Sequence, residues 1–213
     1  MSPRINKEQL AQAQLEQWKR MTRYEQELSD KGYRYIAGVD EAGRGPLAGP
    51  VVAAAVIFPE GAYLPGLNDS KKLSEKRRFE LEEQIKEQSL AWSCGMVNHL
   101  GIDRLNILNA TKLAMQRALA KLTPLPDFVL IDGNTPLQIF LPQLCIVKGD
   151  SLSVSIAAAS ILAKCTRDRL MLQLDQQYPQ YQFAKHKGYP TAQHKQLLRE
   201  YGSCPIHRRS FKY

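Results

Sequence analysis

Residues Ile156 to Ala163 read Ile-Ala-Ala-Ala-Ser-Ile-Leu-Ala, and helix-forming residues extend the segment from Ser153 to Gln177. A helix that is apolar nearly all round has no face to give to water, so it has to be buried inside a layered domain. Five segments could supply the layer it packs against. Tyr33–Asp40 is aromatic, β-branched and apolar, and it ends on an acid. Val51–Phe58 is β-branched at both ends and is closed by Pro59. Leu90–Val97, the short apolar run Phe128–Asp132 and Leu144–Val147 complete the set. The Gly/Pro-rich stretch from Ala42 to Pro50 suits a hairpin with a wide connection between the first two strands. Strands then alternate with helices: one capped by Ser74 and running to about Gln88, one over Ile102–Leu122, the buried helix, and one over Thr191–Tyr201. This order predicts an α/β domain, a mixed β-sheet flanked by helices with a helical C-terminal segment.

Ahead of that domain, residues 6–29 read as a helix, with Leu10, Leu15, Trp18, Met21, Tyr24 and Leu28 at mostly three- or four-residue steps. Asp30-Lys31-Gly32 ends it. The expected division is a helical extension over 1–30 and a main domain over 31–213.

Charge narrows the class. The chain carries 29 basic against 21 acidic residues, a net +8, with a pI near 9.3. Either a polyanionic partner or lysines kept for solubility accounts for that excess. The longest apolar run, Val51–Phe58, is far shorter than the roughly 20 residues that span a bilayer. Met1–Glu8 leads into no apolar signal segment. The expectation is a cytoplasmic protein with no membrane partner and, for want of any oligomeric signal, a monomer. Cys94, Cys145, Cys165 and Cys204 form no CxxC pair and read as small buried hydrophobes. The four histidines show no metal-ligand spacing.

Two of the strands end on carboxylates: Asp40 with Glu41, and Asp132. An acid directly after an apolar strand is costly unless it is solvated, paired or bound to a cation. If the two strands are neighbours, three carboxylates meet at their ends. Hard oxygen ligands without paired Cys or His point to Mg²⁺ or Mn²⁺. Successive strand residues face opposite ways, so Asp40 and Glu41 converge only if the strand breaks or bulges there. Asp150, in Asp150-Ser151-Leu152-Ser153, reads as a helix cap, and Asp168 reads as a surface acid paired with a neighbouring arginine.

Gly43-Arg44-Gly45-Pro46-Leu47-Ala48 matches the form of a dinucleotide fingerprint, G-x-G-x-x-G/A. That fingerprint opens a helix, whereas Pro46, Gly49 and Pro50 lead here into the strand-like Val51–Phe58. An NAD-dependent reading therefore fails on context, and a P-loop pattern is absent. Glycines that let backbone approach a ligand, or an ordinary wide turn, remain as the alternatives.

Taken in order, these motifs resemble bacterial ribonuclease HII. Tyr35–Pro50 resembles that family's opening motif, and Asn68–Leu73 its lysine loop. Ile131–Asn134 resembles its central acidic strand. Lys148–Ser151, Ala158–Lys164 and Arg167–Arg169 resemble its long helix, and His186–Thr191 its C-terminal segment. The resemblance runs from about Tyr33 to about Phe211. It implies a ribonuclease H-like fold and cleavage of the RNA strand of RNA–DNA hybrids. It also implies cutting 5′ to single ribonucleotides embedded in duplex DNA, leaving 3′-hydroxyl and 5′-phosphate ends, by two-metal-ion catalysis with Mn²⁺ or Mg²⁺ and with a role in ribonucleotide removal. By the same resemblance Asp40, Glu41, Asp132 and Asp168 are the metal ligands, with Asp150 the runner-up for the fourth place. Gly43, Arg44 and Gly45 would read the 2′-OH, and Tyr189 would pack on the next deoxyribose. Ser70, Lys71, Lys72 and Lys187 are candidate phosphate contacts or, equally, solvated surface. A metal-free nucleic-acid-binding domain would explain the charge but not Asp132 ending an apolar strand. Seven basic residues against Glu200 fall between Ala184 and Tyr213, so +6 of the +8 sits in the last thirty residues, around Tyr189.

Overall fold

The computed structural model describes residues 7–68 and 70–212, apart from the side chains of Lys7 and Lys72. Two apolar, β-branched strands, β1 (Ile36–Ala42) and β2 (Val51–Ile57), pair antiparallel at the middle of a five-stranded sheet. Every residue of β2 is buried, because both faces of the sheet are covered there. β3 (Ala91–Val97) pairs antiparallel with β2, while β4 (Phe128–Asp132) runs parallel to β1 and β5 (Gln143–Ile146) parallel to β4. The order is β3-β2-β1-β4-β5, the mixed sheet that the alternation of elements predicts.

Helices cover both faces. On one, α4 (His99–Leu105) and α5 (Ile107–Leu119) close over Ala37, Val39, Ala53, Ala55, Val129 and Ile131. On the other lies the long α6 (Val154–Gln177), packed on Ala54 and Val56 with Leu81 and Ile85 of α3 (Glu75–Gln88) beside it. Small residues let α6 approach closely. A Cβ at Gly38 would stand 2.2 Å from the Ser155 carbonyl carbon, so the helix rests directly on the strand backbone.

Several boundaries differ from the sequence reading. β1 starts at Ile36 and runs past Asp40 through Ala42. Arg34 and Tyr35 lie ahead of it and donate their N–H groups to the Asp127 carboxylate at 2.8 and 3.0 Å. The helix expected over Ile102–Leu122 is two helices. Asn106 takes φ 64° and ψ 166° between them, outside the helical region, and its side-chain oxygen accepts from Asn109 N to cap the second helix. The helix expected over residues 6–29 is α1 (Lys7–Met21) and α2 (Arg23–Ser29), parted at Thr22, whose hydroxyl donates back to the Lys19 carbonyl. Residue 6 lies outside the described residues. The α6 cap is Ser153, whose hydroxyl accepts from Ile156 N at 3.2 Å, not Asp150, which sits in the preceding turn, Gly149–Ser151. Ser153 wins because its side chain lies one residue before the first helical residue, where an orphan N–H is within reach.

The C-terminal segment adds α7 (Phe183–His186) and α8 (Ala192–Tyr201), capped by Thr191. It packs on Met171 of α6 and on Leu47 and Ala48 of the β1–β2 connection. Cys165 is buried, which pushes its thiol up to about 12, and all four cysteines are free. Among the described residues no helix is long and apolar enough to cross a membrane.

Candidate active site

β1 and β4 are parallel neighbours whose last paired rung is Val39↔Ile131, so Asp40 and Asp132 stand side by side one step further, on the α6 face. Glu41 follows on an unbroken ladder, opposite Ala53 of β2. The bulge that the sequence argument requires is absent. What lets Glu41 approach instead is that β4 ends at Asp132, leaving the far side of Glu41 without a neighbouring strand.

Asp40 is 5% exposed. Burial, and then the charges of Glu41 and Asp132, hold its carboxyl well above the usual carboxylate range. Glu41 is also raised, by burial first and by Asp132, against the opposing pull of Arg44 and Lys71. Each acid has a protein partner. Asp40 Oδ1 accepts the Glu41 N–H at 2.6 Å, Glu41 Oε1 lies 3.5 Å from Arg44 Nη1, and Asp132 Oδ1 accepts the Gly149 N–H at 2.7 Å. Held this way, the described residues contain no group of three or more His, Cys, Asp or Glu side chains set to grip an ion. The donors are nonetheless all hard oxygens, and a buried acid flanked by two others is the arrangement a divalent cation neutralises.

The fourth acid is where sequence and structure part. Asp168, the first choice by resemblance, is buried on α6 and pairs with Lys164 Nζ at 2.8 Å rather than with a neighbouring arginine. It lies eight residues beyond Ser160, the α6 residue that hydrogen-bonds Asp40, or roughly 12 Å along a helix. Asp150 is closer to the cluster. It follows Gly149, the donor to Asp132, and its Oδ2 lies 3.6 Å from Lys71 Nζ, the cation that also acts on Glu41. The turn before α6, rather than the body of α6, brings a fourth carboxylate to the strand ends.

Ser70 is buried, not poised for a phosphate. Its hydroxyl and that of Ser160 share a hydrogen bond at 2.9 Å, and Ser160 in turn helps to keep the Asp40 carboxyl from rising further. Ser160 was missed in the sequence, although a lone hydroxyl inside an apolar helix is a signal. Lys71 is exposed above the acids. The Lys72 side chain lies outside the described residues. Lys187 takes φ 50° and turns its Nζ back to the Ala184 carbonyl at 2.5 Å.

Gly43, Arg44 and Gly45 begin the β1–β2 connection, directly after the acids. A Cβ on Gly45 would stand 3.8 Å from the Tyr189 ring, so the loop and that tyrosine line one cleft. Tyr189 is 39% exposed, with Lys164 Nζ at 5.9 Å and Arg167 Cζ at 5.8 Å from its ring centre. The connection itself is held by residues the sequence reading passed over. Arg167 donates to Pro50, Lys187 and Ala48 carbonyls, and Arg208 to Gly49, Arg44, Gly43 and Pro50 carbonyls. Their signal in sequence, two arginines among many, is too common to single them out.

Comparison with known proteins follows the same lines. The family model described as Ribonuclease HII matches residues 37–213. A ribonuclease HII of Geobacillus sp. (strain WCH70) is 57% identical over 195 residues, 92% of this chain and 70% of the relative. Among solved structures, the ribonuclease H2 of Pyrococcus horikoshii OT3 superposes with a TM-score of 0.69 at 28% identity, covering 83% of this chain and 93% of that one. The RNase HII of Archaeoglobus fulgidus, solved in complex with PCNA, gives 0.70 at 25% identity, covering 84% and 96%.

Proposed function

Because the chain belongs to the ribonuclease HII family of metal-dependent endonucleases acting on RNA–DNA, we propose that it also cuts duplex DNA on the 5′ side of a single embedded ribonucleotide. The products would be 3′-hydroxyl and 5′-phosphate ends, and the role removal of ribonucleotides from DNA. The observation that carries this reading is the adjacency of Asp40 and Asp132 on parallel strands, with Glu41 beside them and a glycine loop leading away from the same strand end.

Asp40, Glu41, Asp132 and Asp150 would hold Mg²⁺ or Mn²⁺. Bound there, two such ions would supply an activated water and charge stabilisation for the leaving oxygen. The protein's own part is positional. Ser160, backed by Ser70, orients Asp40. Gly149 N–H orients Asp132. Lys71 offsets the acids and faces outward, where a backbone phosphate would meet it. The 2′-OH is the one local group that tells a ribonucleotide from a deoxyribonucleotide, so the sugar reader has to lie against the reacting phosphate. Gly43, Arg44 and Gly45 satisfy that requirement, and Tyr189 across the cleft offers a ring for the next sugar. Asp168 then serves to hold Lys164 beside Tyr189. A PCNA-type partner, on the pattern of the Archaeoglobus protein, and a monomeric, cytoplasmic enzyme complete the proposal.

The test is a cutting assay on duplex DNA carrying one ribonucleotide, with Mg²⁺, Mn²⁺ or EDTA. Wild type should cut with metal and not with EDTA, and Asp40→Asn should lose at least a hundredfold. Asp150→Asn should fall as far, and Asp168→Asn less. An intact substrate with either metal would sink the proposal, and a deeper loss in Asp168→Asn than in Asp150→Asn would return the fourth place to Asp168.

A further inference from the structure

Arg167 and Arg208 are both 1% exposed, and neither pairs with a carboxylate among the described residues. Burying a guanidinium with no counter-ion is costly unless its nitrogens find acceptors, and each of the three nitrogens of both side chains does. Here the acceptors are main-chain carbonyls, and nearly all of them lie in one stretch, Gly43 to Pro50. Arg208 Nε donates to Gly49 O at 3.0 Å, Nη1 to Arg44 O at 2.9 Å, and Nη2 to Gly43 O at 2.6 Å and Pro50 O at 3.3 Å. Arg167 reaches Pro50 O at 3.0 Å and Ala48 O at 3.2 Å from the other side. Burial lowers both, Arg167 to about 10 and Arg208, with Arg167 adding to the effect, to about 9. Both therefore stay charged at neutral pH.

The consequence follows from the peptide plane. In a trans peptide the C=O and the next residue's N–H point in opposite directions. Fixing the Gly43 carbonyl on Arg208 therefore aims the Arg44 N–H away from that guanidinium, and fixing the Arg44 carbonyl aims the Gly45 N–H away in turn. Neither N–H is taken up by a backbone acceptor among the described residues. Both belong to the exposed tip of the connection, where Gly45 faces Tyr189. Only glycine fits at position 43: it takes φ +98°, and a Cβ there would stand 2.2 Å from Arg167 Nε. The C-terminal strap adds to the hold, with Arg208 N donating to Leu47 O at 2.8 Å and Gly49 N to Ile206 O at 3.0 Å.

We infer that Arg208, backed by Arg167, is the positioning residue for sugar discrimination: by gripping the Gly43 and Arg44 carbonyls it sets the two N–H groups that face the ribose. This rests on the reading of Gly43–Gly45 as the 2′-OH reader. It also reassigns Arg208 from the phosphate-holding basic tail to the inside of the molecule.

The experiment compares wild type, Arg208→Lys and Arg208→Gln. The lysine keeps the charge but not the fork, and the glutamine removes the buried charge in case the lysine does not fold. For each folded variant, the dissociation constant is measured for a duplex with one ribonucleotide and for the all-DNA duplex of the same sequence, with Ca²⁺ in place of Mg²⁺. Wild type should prefer the ribonucleotide duplex. In the variants that preference should shrink at least tenfold while all-DNA affinity stays within about twofold, a pattern general loosening would not give, since it weakens both together. Preference retained, or both affinities falling in step, overturns the role of Arg208. No preference in wild type would instead overturn the sugar-reading loop itself.

Discussion

Single glycines in this protein do different jobs, and substitution separates them. Gly38 lies under α6, where an added Cβ would meet Ser155 and Ile156 backbone at 2.2 and 2.3 Å. Gly38→Ala should lower stability by about 3 kcal/mol or more, read from chemical denaturation, because backbone on both sides has to part. Gly45 has no such neighbour, only the Tyr189 ring at 3.8 Å. Gly45→Ala should therefore unfold like wild type, within about 0.5 kcal/mol, yet cut a single-ribonucleotide duplex at least tenfold more slowly because the methyl intrudes on the proposed sugar position. Equal activity would show that no sugar approaches there. At this scale the acids Asp40, Glu41 and Asp132 stood out in sequence, because acids that close an apolar run are conspicuous. Ser160 and Arg208 were not: their importance lies in what they touch, and those contacts span 120 residues in one case and as many as 165 in the other.

The C-terminal helices are organised by three buried histidines. His194 Nδ1 lies 2.9 Å from the Tyr189 carbonyl, so that nitrogen carries the proton and Nε2 accepts. His207 then donates from Nε2 across 3.1 Å to His194, and its Nδ1 accepts the Cys204 N–H at 2.9 Å. His186 stacks on His194 with ring centres 4.3 Å apart and takes the Gly188 N–H on Nδ1. This network needs neutral rings, and burial lowers all three, His194 to about 4. The unfolded chain binds these protons below about pH 6.5 and the folded one does not, so stability falls as pH drops from 6.5 towards 4. For His194 alone the full span is worth about 3 kcal/mol. Melting curves between pH 7.5 and 5 should show the loss, and His194→Gln should flatten it; an unchanged slope would place the titration elsewhere. At the other end of the chain, Glu25 of α2 receives Ser155 N and both the Ser153 and Ser155 hydroxyls at the start of α6. Glu25→Ala should cost about 1–2 kcal/mol, the N-terminal helices being tied to the buried helix through that carboxylate. The helical periods were plain in sequence, but the breaks at Thr22 and Asn106 were not, because neither residue by itself forbids a helix and the apolar period continues across both.

Across the whole molecule the balance of charge decides how a nucleic acid is met. Of the seven basic residues in the last thirty, Arg208 is inside and Lys187 is half-buried, leaving Lys185, Lys195, Arg199, Arg209 and Lys212 exposed. Affinity for duplex should fall with salt, with a slope set by those residues that lie on phosphates; each one neutralised to alanine should reduce the slope by about one if it does. Divalent metal should raise the melting temperature of wild type, since it relieves repulsion among Asp40, Glu41 and Asp132, and should do so far less in Asp40→Asn. Sequence alone determined the layered α/β class, the strand-end acids and the glycine-loop context, because these rest on periodicity and on the cost of burying charge, both local in the chain. Only the tertiary structure decided which strands are neighbours, that Asp150 and not Asp168 lies by the acids, and that an arginine near the C-terminus holds a loop near the N-terminus. Those facts depend on where the turn before α6 sets down Gly149 and on which carbonyls a buried guanidinium can reach, and no spacing along the chain encodes either.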